Sequence, residues 1–148
     1  MREYSVPITA LTSLTTVPFV QLATGASTGL DIIRIELTQS SSTTSAQTVV
    51  TLQRRTTAST LPTTVTPAPL SNNDAAAITA STIGIATATG TAGTLLFRWG
   101  FNVLNGLLYV PVPEERPAVP PSSWITLQFP TTPPAVTWEG HIVFQENV

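Results

Sequence analysis

The stretch that decides the fold class is residues 30–38, LDIIRIELT, in a chain of 148 residues. Ile33, Ile35 and Leu37 alternate with charged or polar residues, which is the period of a β-strand with one face in a core and the other in water. After a polar loop, residues 46–56 continue the alternation. We therefore predict two strands that pair as a hairpin with a long loop.

A second hairpin is predicted around Asn105-Gly106, which separates the apolar stretches 101–104 and 107–110. Asn-Gly in this setting is a strong hairpin signal, because a type I′ turn needs a positive φ angle at both central residues. One short helix is predicted within 73–80, where an Asn and an Asp precede three alanines. The other predicted strands are 81–88, 95–101, 124–129 and 136–146.

Several short strands without helical crossovers predict an all-β fold, an antiparallel β-sandwich or barrel of jelly-roll-like form. Residues 1–16 lack a regular pattern and contain Pro7, so we expect an extended N-terminal arm there and a single β domain at 17–148. The chain contains no cysteine, so its stability must come from packing rather than from disulfide bonds.

Charged residues make up 9% of the chain, against about a quarter in an ordinary soluble domain. The formal net charge is −2 and no basic run is present, so nucleic acid is not an expected partner. No apolar stretch reaches the roughly 18 residues of a membrane span, and the N-terminus lacks a signal-type apolar run, so we expect neither membrane insertion nor secretion by a cleaved signal. So little charge is typical of a protein that packs against copies of itself or a partner.

One apparent catalytic motif is present at residues 25–29, GASTG, with Ser27 at its centre. A nucleophile elbow leads from a strand into a helix, whereas here a predicted strand follows directly. We therefore interpret the motif as a turn, and the single histidine, His141, as a solvent-facing or hydrogen-bonded strand residue. We expect no enzymatic activity, metal or other cofactor; the alternatives are a small hydrolase built on Ser27 or His141, and a hard cation held by oxygen ligands such as Glu114 or Asp31.

The three tryptophans raise the alternative of a carbohydrate-binding platform. Trp99 and Trp138 share their strand faces with apolar neighbours, so we expect both to pack in the core. Trp124 is the candidate for an exposed aromatic surface.

Several stretches of the chain carry a family resemblance. They are residues 39–47, QSSSTTSAQ; 101–106, FNVLNG; 113–116, PEER; the proline-rich turn before Trp124; and the closing 137–144, TWEGHIVF. Over roughly two thirds of the chain, the sequence resembles a family of small virion proteins of tailed phages. The resemblance implies a capsid decoration or cement protein: a β-rich, typically trimeric domain that sits on the outer surface of the head and clamps neighbouring major capsid subunits.

On this interpretation the partner is the major capsid protein, the protein forms a homotrimer, and its location is the capsid exterior of the virion. The predicted contact residues lie on the N-terminal arm and in a proline-stiffened loop, which loses little entropy on binding. They are Tyr4, Ile8, Leu11, Glu114, Glu115 and Arg116. The alternative is a phage fibre or baseplate domain that binds host glycan.

Overall fold

Alternating apolar residues produce two antiparallel sheets, packed face to face, in the computed structural model, which describes residues 2–147. The strands are β1 (Arg2–Leu11), β2 (Pro18–Ala23), β3 (Gly29–Gln39), β4 (Gln47–Arg55), β5 (Thr63–Val65), β6 (Ala68–Pro69), β7 (Ala80–Ile83), β8 (Ala92–Asn102), β9 (Leu107–Tyr109), β10 (Ala118–Val119), β11 (Trp124–Gln128) and β12 (Trp138–Asn147). A single turn of 3-10 helix lies at Pro113–Glu115. The predicted all-β antiparallel fold is confirmed, in the form of a sandwich rather than a barrel.

Sheet A has the strand order β10-β3-β12-β1-β6, and β9 also pairs with β3. Sheet B has the order β5-β7-β2-β11-β4-β8. Every ladder in both sheets is antiparallel among the described residues. Residues 2–147 contain no helix that is long and apolar enough to cross a bilayer.

The core lies between the sheets, with β12 at its centre. Trp138, Ile142 and Phe144 are buried on the inner face of this strand, as the shared-face pattern predicts. Phe129, which follows β11 directly, packs on Trp138 with ring centres 5.0 Å apart, and Tyr4 stacks on Phe144 at 5.6 Å. These aromatic side chains contribute much of the buried apolar area that stabilises the sandwich.

The prediction of an extended N-terminal arm at 1–16 is wrong for residues 2–11, and Met1 lies outside the described residues. Residues 2–11 form β1, which pairs with β12 along its length and with β6 at Tyr4 and Ser5. Tyr4 and Ile8 are fully buried in the core. Pro7 fits because β6 does not extend beside it, and a residue without an N–H group is tolerated on an unpaired strand edge.

Because β1 is part of the core, substitution of Ile8 with Ala should lower the free energy of unfolding by about 2–5 kcal/mol, the usual range for a buried aliphatic side chain. The matched control is Thr9→Ala, one residue along on the exposed face. Urea denaturation measures both. An arm that lies outside the fold would instead give two variants with wild-type stability.

Both predicted hairpins are wrong, although their strands exist. β3 belongs to sheet A and β4 to sheet B, and in the same way β8 belongs to sheet B and β9 to sheet A. Each connection therefore carries the chain across the sandwich instead of folding it back on its own strand. The alternating pattern reports which face of a strand is buried, and both arrangements bury the same faces.

The face assignment of β3 changes part-way along the strand. A β-bulge opposite Val143 and Phe144 inserts one residue, so that Ile32 is buried and Ile33 is only half-buried. Beyond the bulge, Ile35 and Leu37 are buried as predicted. Because the bulge adds one residue, the buried face falls on even positions before it and on odd positions after it. A prediction from unbroken alternation misses this change.

The short helix predicted within 73–80 is not formed. The backbone N–H groups of Ile78 and Thr79 donate to Oε1 of Glu146, at 2.8 and 2.7 Å. The carbonyl of Ala75 accepts from the Tyr4 hydroxyl at 2.9 Å, and burial and then the Glu146 charge raise the pKa of that hydroxyl. Glu146 is itself fully buried, so these tertiary hydrogen bonds replace the helical ones.

The Asn105-Gly106 turn has the predicted positive φ at Gly106, +71°, but not at Asn105. The N–H groups of both residues donate to the carbonyl of Asn102 at 3.0 Å. A Cβ atom at Gly106 would lie 2.9 Å from both the Leu37 carbonyl oxygen and Cγ2 of Thr38. The turn is therefore tight, and it connects the two sheets rather than two paired strands.

We expect Gly106→Ala to destabilise the domain by about 1 kcal/mol or more, through the positive φ angle and the close approach to β3. The control is Gly100→Ala, since a Cβ there meets its nearest atoms at 3.9 and 4.0 Å, which is ordinary contact. Thermal unfolding of the two variants separates these cases. Equal melting temperatures would contradict the turn geometry.

Candidate contact surface

The most exposed apolar side chains concentrate after β8, in residues 104–116, which we call the contact segment. Leu108, Val110 and Val112 are 61%, 59% and 55% exposed, and Leu104 is nearly half exposed. Side chains at alternate positions of an extended chain point the same way, so Leu108, Val110 and Val112 form one row. Large exposed apolar patches on soluble proteins mark interaction sites.

The contact segment is held stiffly at the edge of sheet A. Leu108 lies opposite Glu36 on the outer face of β3, and further along, β10 pairs with the start of the same strand. Pro111 and Pro117 are buried, which anchors both sides of the 3-10 turn. Restricted prolines lose little conformational freedom on binding, so the exposed row is already ordered for a partner.

Of the predicted contact residues, the structure places Glu114 and Glu115 on this segment, exposed, with Arg116 half-buried beside them. Burial, and then the charge of Glu115, raise the pKa of the Tyr109 hydroxyl. The segment therefore combines an apolar row with negative charge at one end. A partner surface with an apolar strip and basic residues beside it is complementary to this arrangement.

The other predicted contact residues lie elsewhere and face inward. Tyr4 and Ile8 are fully buried, and Leu11 is half-buried against the core. β3 and β12 separate β1 from β9 in sheet A. Their assignment as anchors for a partner is wrong, because the apolar side chains expected on a free arm instead fill the sandwich.

The open side of the sandwich between β8 and β9 is lined by aromatic rings. Phe97 and Trp99 stack with ring centres 5.4 Å apart, and Tyr109 lies 5.2 and 4.9 Å from the two. All three side chains are half-buried. Trp138 lies in the core as predicted, whereas Trp99 lies at this edge, and Trp124 is half-buried on sheet B.

A buried polar layer covers the outer face of sheet B. The Arg55 guanidinium donates to Oγ1 of Thr126 at 3.1 Å, to the carbonyl of Gly90 at 3.1 Å and to the side-chain oxygen of Gln128. Gln21 and Ser59 exchange two further hydrogen bonds, of 3.0 and 2.8 Å. Burial lowers the pKa of Arg55, but an arginine remains charged at neutral pH. These hydrogen bonds hold the loops that contain Ser59 and Gly90 against sheet B. The polar groups that make them already have partners within the protein.

Arg55→Met should lower the free energy of unfolding by about 2–4 kcal/mol, because buried acceptors lose their charged donor. Arg98→Met is the matched control, since the Arg98 side chain is exposed; we expect a change within about 0.5 kcal/mol for it. Chemical denaturation gives both values. Similar losses in the two variants would show that the polar layer contributes little.

The candidate catalytic residues are not brought together. Ser27 is exposed in the loop before β3, beside Gly29, whereas His141 lies opposite Glu36 further along that strand. Glu36 lies seven positions beyond Gly29 on β3, which is roughly 23 Å along the strand. His141 lies 3.6 Å from Oε2 of Glu36, which also accepts from Arg34 at 3.0 Å, on the outer face of sheet A. His141 is thus a partly exposed strand residue, as predicted.

An open cleft of about 500 Å³ lies at one end of the sandwich. Arg54 crosses between the sheets there and donates to the carbonyl of Ala118 at 2.6 Å. The cleft is lined by Ser27, Gly29, Arg54, Ala118, Val119, Pro120, Pro121 and Asn147. This lining is mainly aliphatic and proline-rich and offers no acid–base pair. Within residues 2–147, no cluster of three His, Asp or Glu side chains is placed to hold a metal ion.

Comparison of the chain with protein-family models, with curated proteins and with solved structures gave no match. The assignment of the candidate site therefore rests on the exposure, strand pairing and charge of the residues of this chain. Sequence reasoning missed the exposed row at Leu108, Val110 and Val112. Its signal was present, since apolar residues at alternate positions are interrupted by Pro111, which is typical of an extended chain at a sheet edge.

Proposed function

We propose that this protein is a structural, non-enzymatic virion component that decorates the outer surface of a tailed-phage capsid and stabilises it by binding between major capsid subunits. The observation that carries the proposal is the contact segment, residues 104–116. Half of the eight large apolar side chains most exposed among the described residues belong to it. The same segment contains PEER and part of FNVLNG, two of the stretches that carry the family resemblance.

The physical properties of the segment suit a clamp. A row of apolar side chains that are more than half exposed gains free energy on burial, about 25 cal/mol per Å² removed from water. Glu114 and Glu115 add charge that orients approach to a basic partner surface. The remainder of the protein supplies a rigid sandwich on which this row is held. Binding to the major capsid protein, self-association and the virion location belong to the same proposal.

The test is binding of the purified protein to undecorated heads. Val110→Asp combined with Val112→Asp should weaken binding at least tenfold, or about 1.4 kcal/mol, because two charges would be buried in the interface. The matched control is Leu70→Asp combined with Ile85→Asp, two other exposed apolar residues outside the contact segment. That control should bind like wild type.

Equal binding by the contact-segment variant and wild type would exclude the segment as the attachment site. Co-purification of the protein with tails rather than heads would overturn the capsid assignment. That result would favour the fibre or baseplate alternative, for which the half-buried Trp124 gives little structural support.

A further inference from the structure

The edge strand β8 differs from every other sheet edge in the described residues. β5 has three residues and follows Pro62, and β6 is a two-residue strand that ends in Pro69. At the opposite edge of sheet A, β9 and β10 are short, and five prolines lie within residues 111–121. By contrast, β8 has eleven residues, Ala92–Asn102, no proline and a single charge, Arg98. Natural sheet edges are normally shortened, charged, or interrupted by proline or a β-bulge to prevent strand pairing. The two bulges of β8 lie between Ala92 and Phe97, so its regular edge is residues 97–102.

The free hydrogen-bonding groups of β8 can be assigned from its pairing with β4. The N–H of Val103 donates to the carbonyl of Ala46 at 2.9 Å, so this pair is a hydrogen-bonded one. Hydrogen-bonded and non-bonded pairs alternate in an antiparallel ladder. Trp99, opposite Val50, therefore bonds to β4, and the backbone groups of Arg98 and Gly100 point to the open edge.

We propose that β8 pairs antiparallel with β8 of a second copy, which joins the two B sheets into one continuous sheet. The favoured register places Arg98 opposite Gly100 of the second copy, with the two-fold axis at Trp99. The backbone N–H and C=O groups that bond between the copies in this register are those that point to the open edge. Each Arg98 lies opposite a glycine rather than another arginine. Like charges directly opposite each other would be destabilising.

The side chains at this edge fit a contact between copies. Phe97 and Trp99 come from β8 itself, and the ring stack they form with Tyr109 lines the sandwich wall that a second copy would cover. At each end, the exposed Leu95 of one copy would lie near the turn that carries exposed Leu104 of the other. In this register residues 96–102 of the two copies pair, a ladder roughly 23 Å long, and with a wall roughly 20 Å deep the contact is on the order of 450 Å² per copy, the size of a weak dimer. Stable complexes bury about 800 Å² per partner.

This inference does not rest on capsid attachment, and its test uses the isolated full chain. Sedimentation equilibrium should show a dimer, rather than the trimer that the family resemblance implies. Gly100→Lys should weaken the dimer at least tenfold, because it places a lysine opposite Arg98. The variant should fold, since a Cβ at Gly100 makes only ordinary contacts. The control is Thr64→Lys, with the same charge change on β5 at the far edge of sheet B, which should remain dimeric.

The register is tested by disulfide formation, since the natural chain has no cysteine. A mixture of Arg98→Cys and Gly100→Cys proteins should form a mixed disulfide, because directly opposed residues lie about 5.5 Å apart. Neither protein should cross-link efficiently with itself, because the diagonal positions lie at about 7–8 Å. This pattern, with a dimer lost only in Gly100→Lys, supports the proposal. A wild-type monomer or trimer, an intact Gly100→Lys dimer, or loss of association in both lysine variants would overturn it.

Discussion

Burial of the inner face of β12 is the interaction on which the other parts of the structure depend. This strand lies between β1 and β3 in sheet A, and its Trp138 and Phe144 contact aromatic rings from both sheets. The approach of β12 to β3 is so close at Gly140 that a Cβ there would lie 2.0 Å from the Glu36 carbonyl oxygen. A glycine at this position therefore lets β12 pair closely with β3, the strand that also pairs with β9 of the contact segment.

The sequence predicts the fold class because alternation is a local property. It identifies most of β3, β4, β11 and β12 and the buried side of the last strand. It does not predict strand partners, because consecutive strands that change sheet bury the same faces as a hairpin does. The predicted helix failed for a related reason, since Glu146 takes the backbone N–H groups of Ile78 and Thr79 from the far end of the chain.

The candidate site was predictable only in part. Glu114 and Glu115 were expected at the surface because charges and prolines cluster there, and they are exposed. Tyr4 and Ile8 were misassigned because Pro7 interrupts a pattern that is otherwise that of a strand. The polar layer around Arg55 has no sequence signal, because Gln21, Ser59 and Thr126 are ordinary polar residues until two loops fold over them. The low content of charged residues therefore corresponds to two structural features. Part of the surface carries apolar side chains, and several uncharged polar side chains are buried.

The pairing of Arg2 with Glu146 also bears on how the protein is made. Of the described strands, β1 is synthesised first and its main partner, β12, is synthesised last. Synthesis proceeds at about 5–20 residues per second, so β1 waits several seconds before β12 can join it. During that time the side chains of Tyr4, Val6 and Ile8, which are buried in the folded protein, are not yet packed against β12. Contacts between residues so distant in sequence also slow folding, so the apolar face of β1 needs other contacts until β12 has been synthesised.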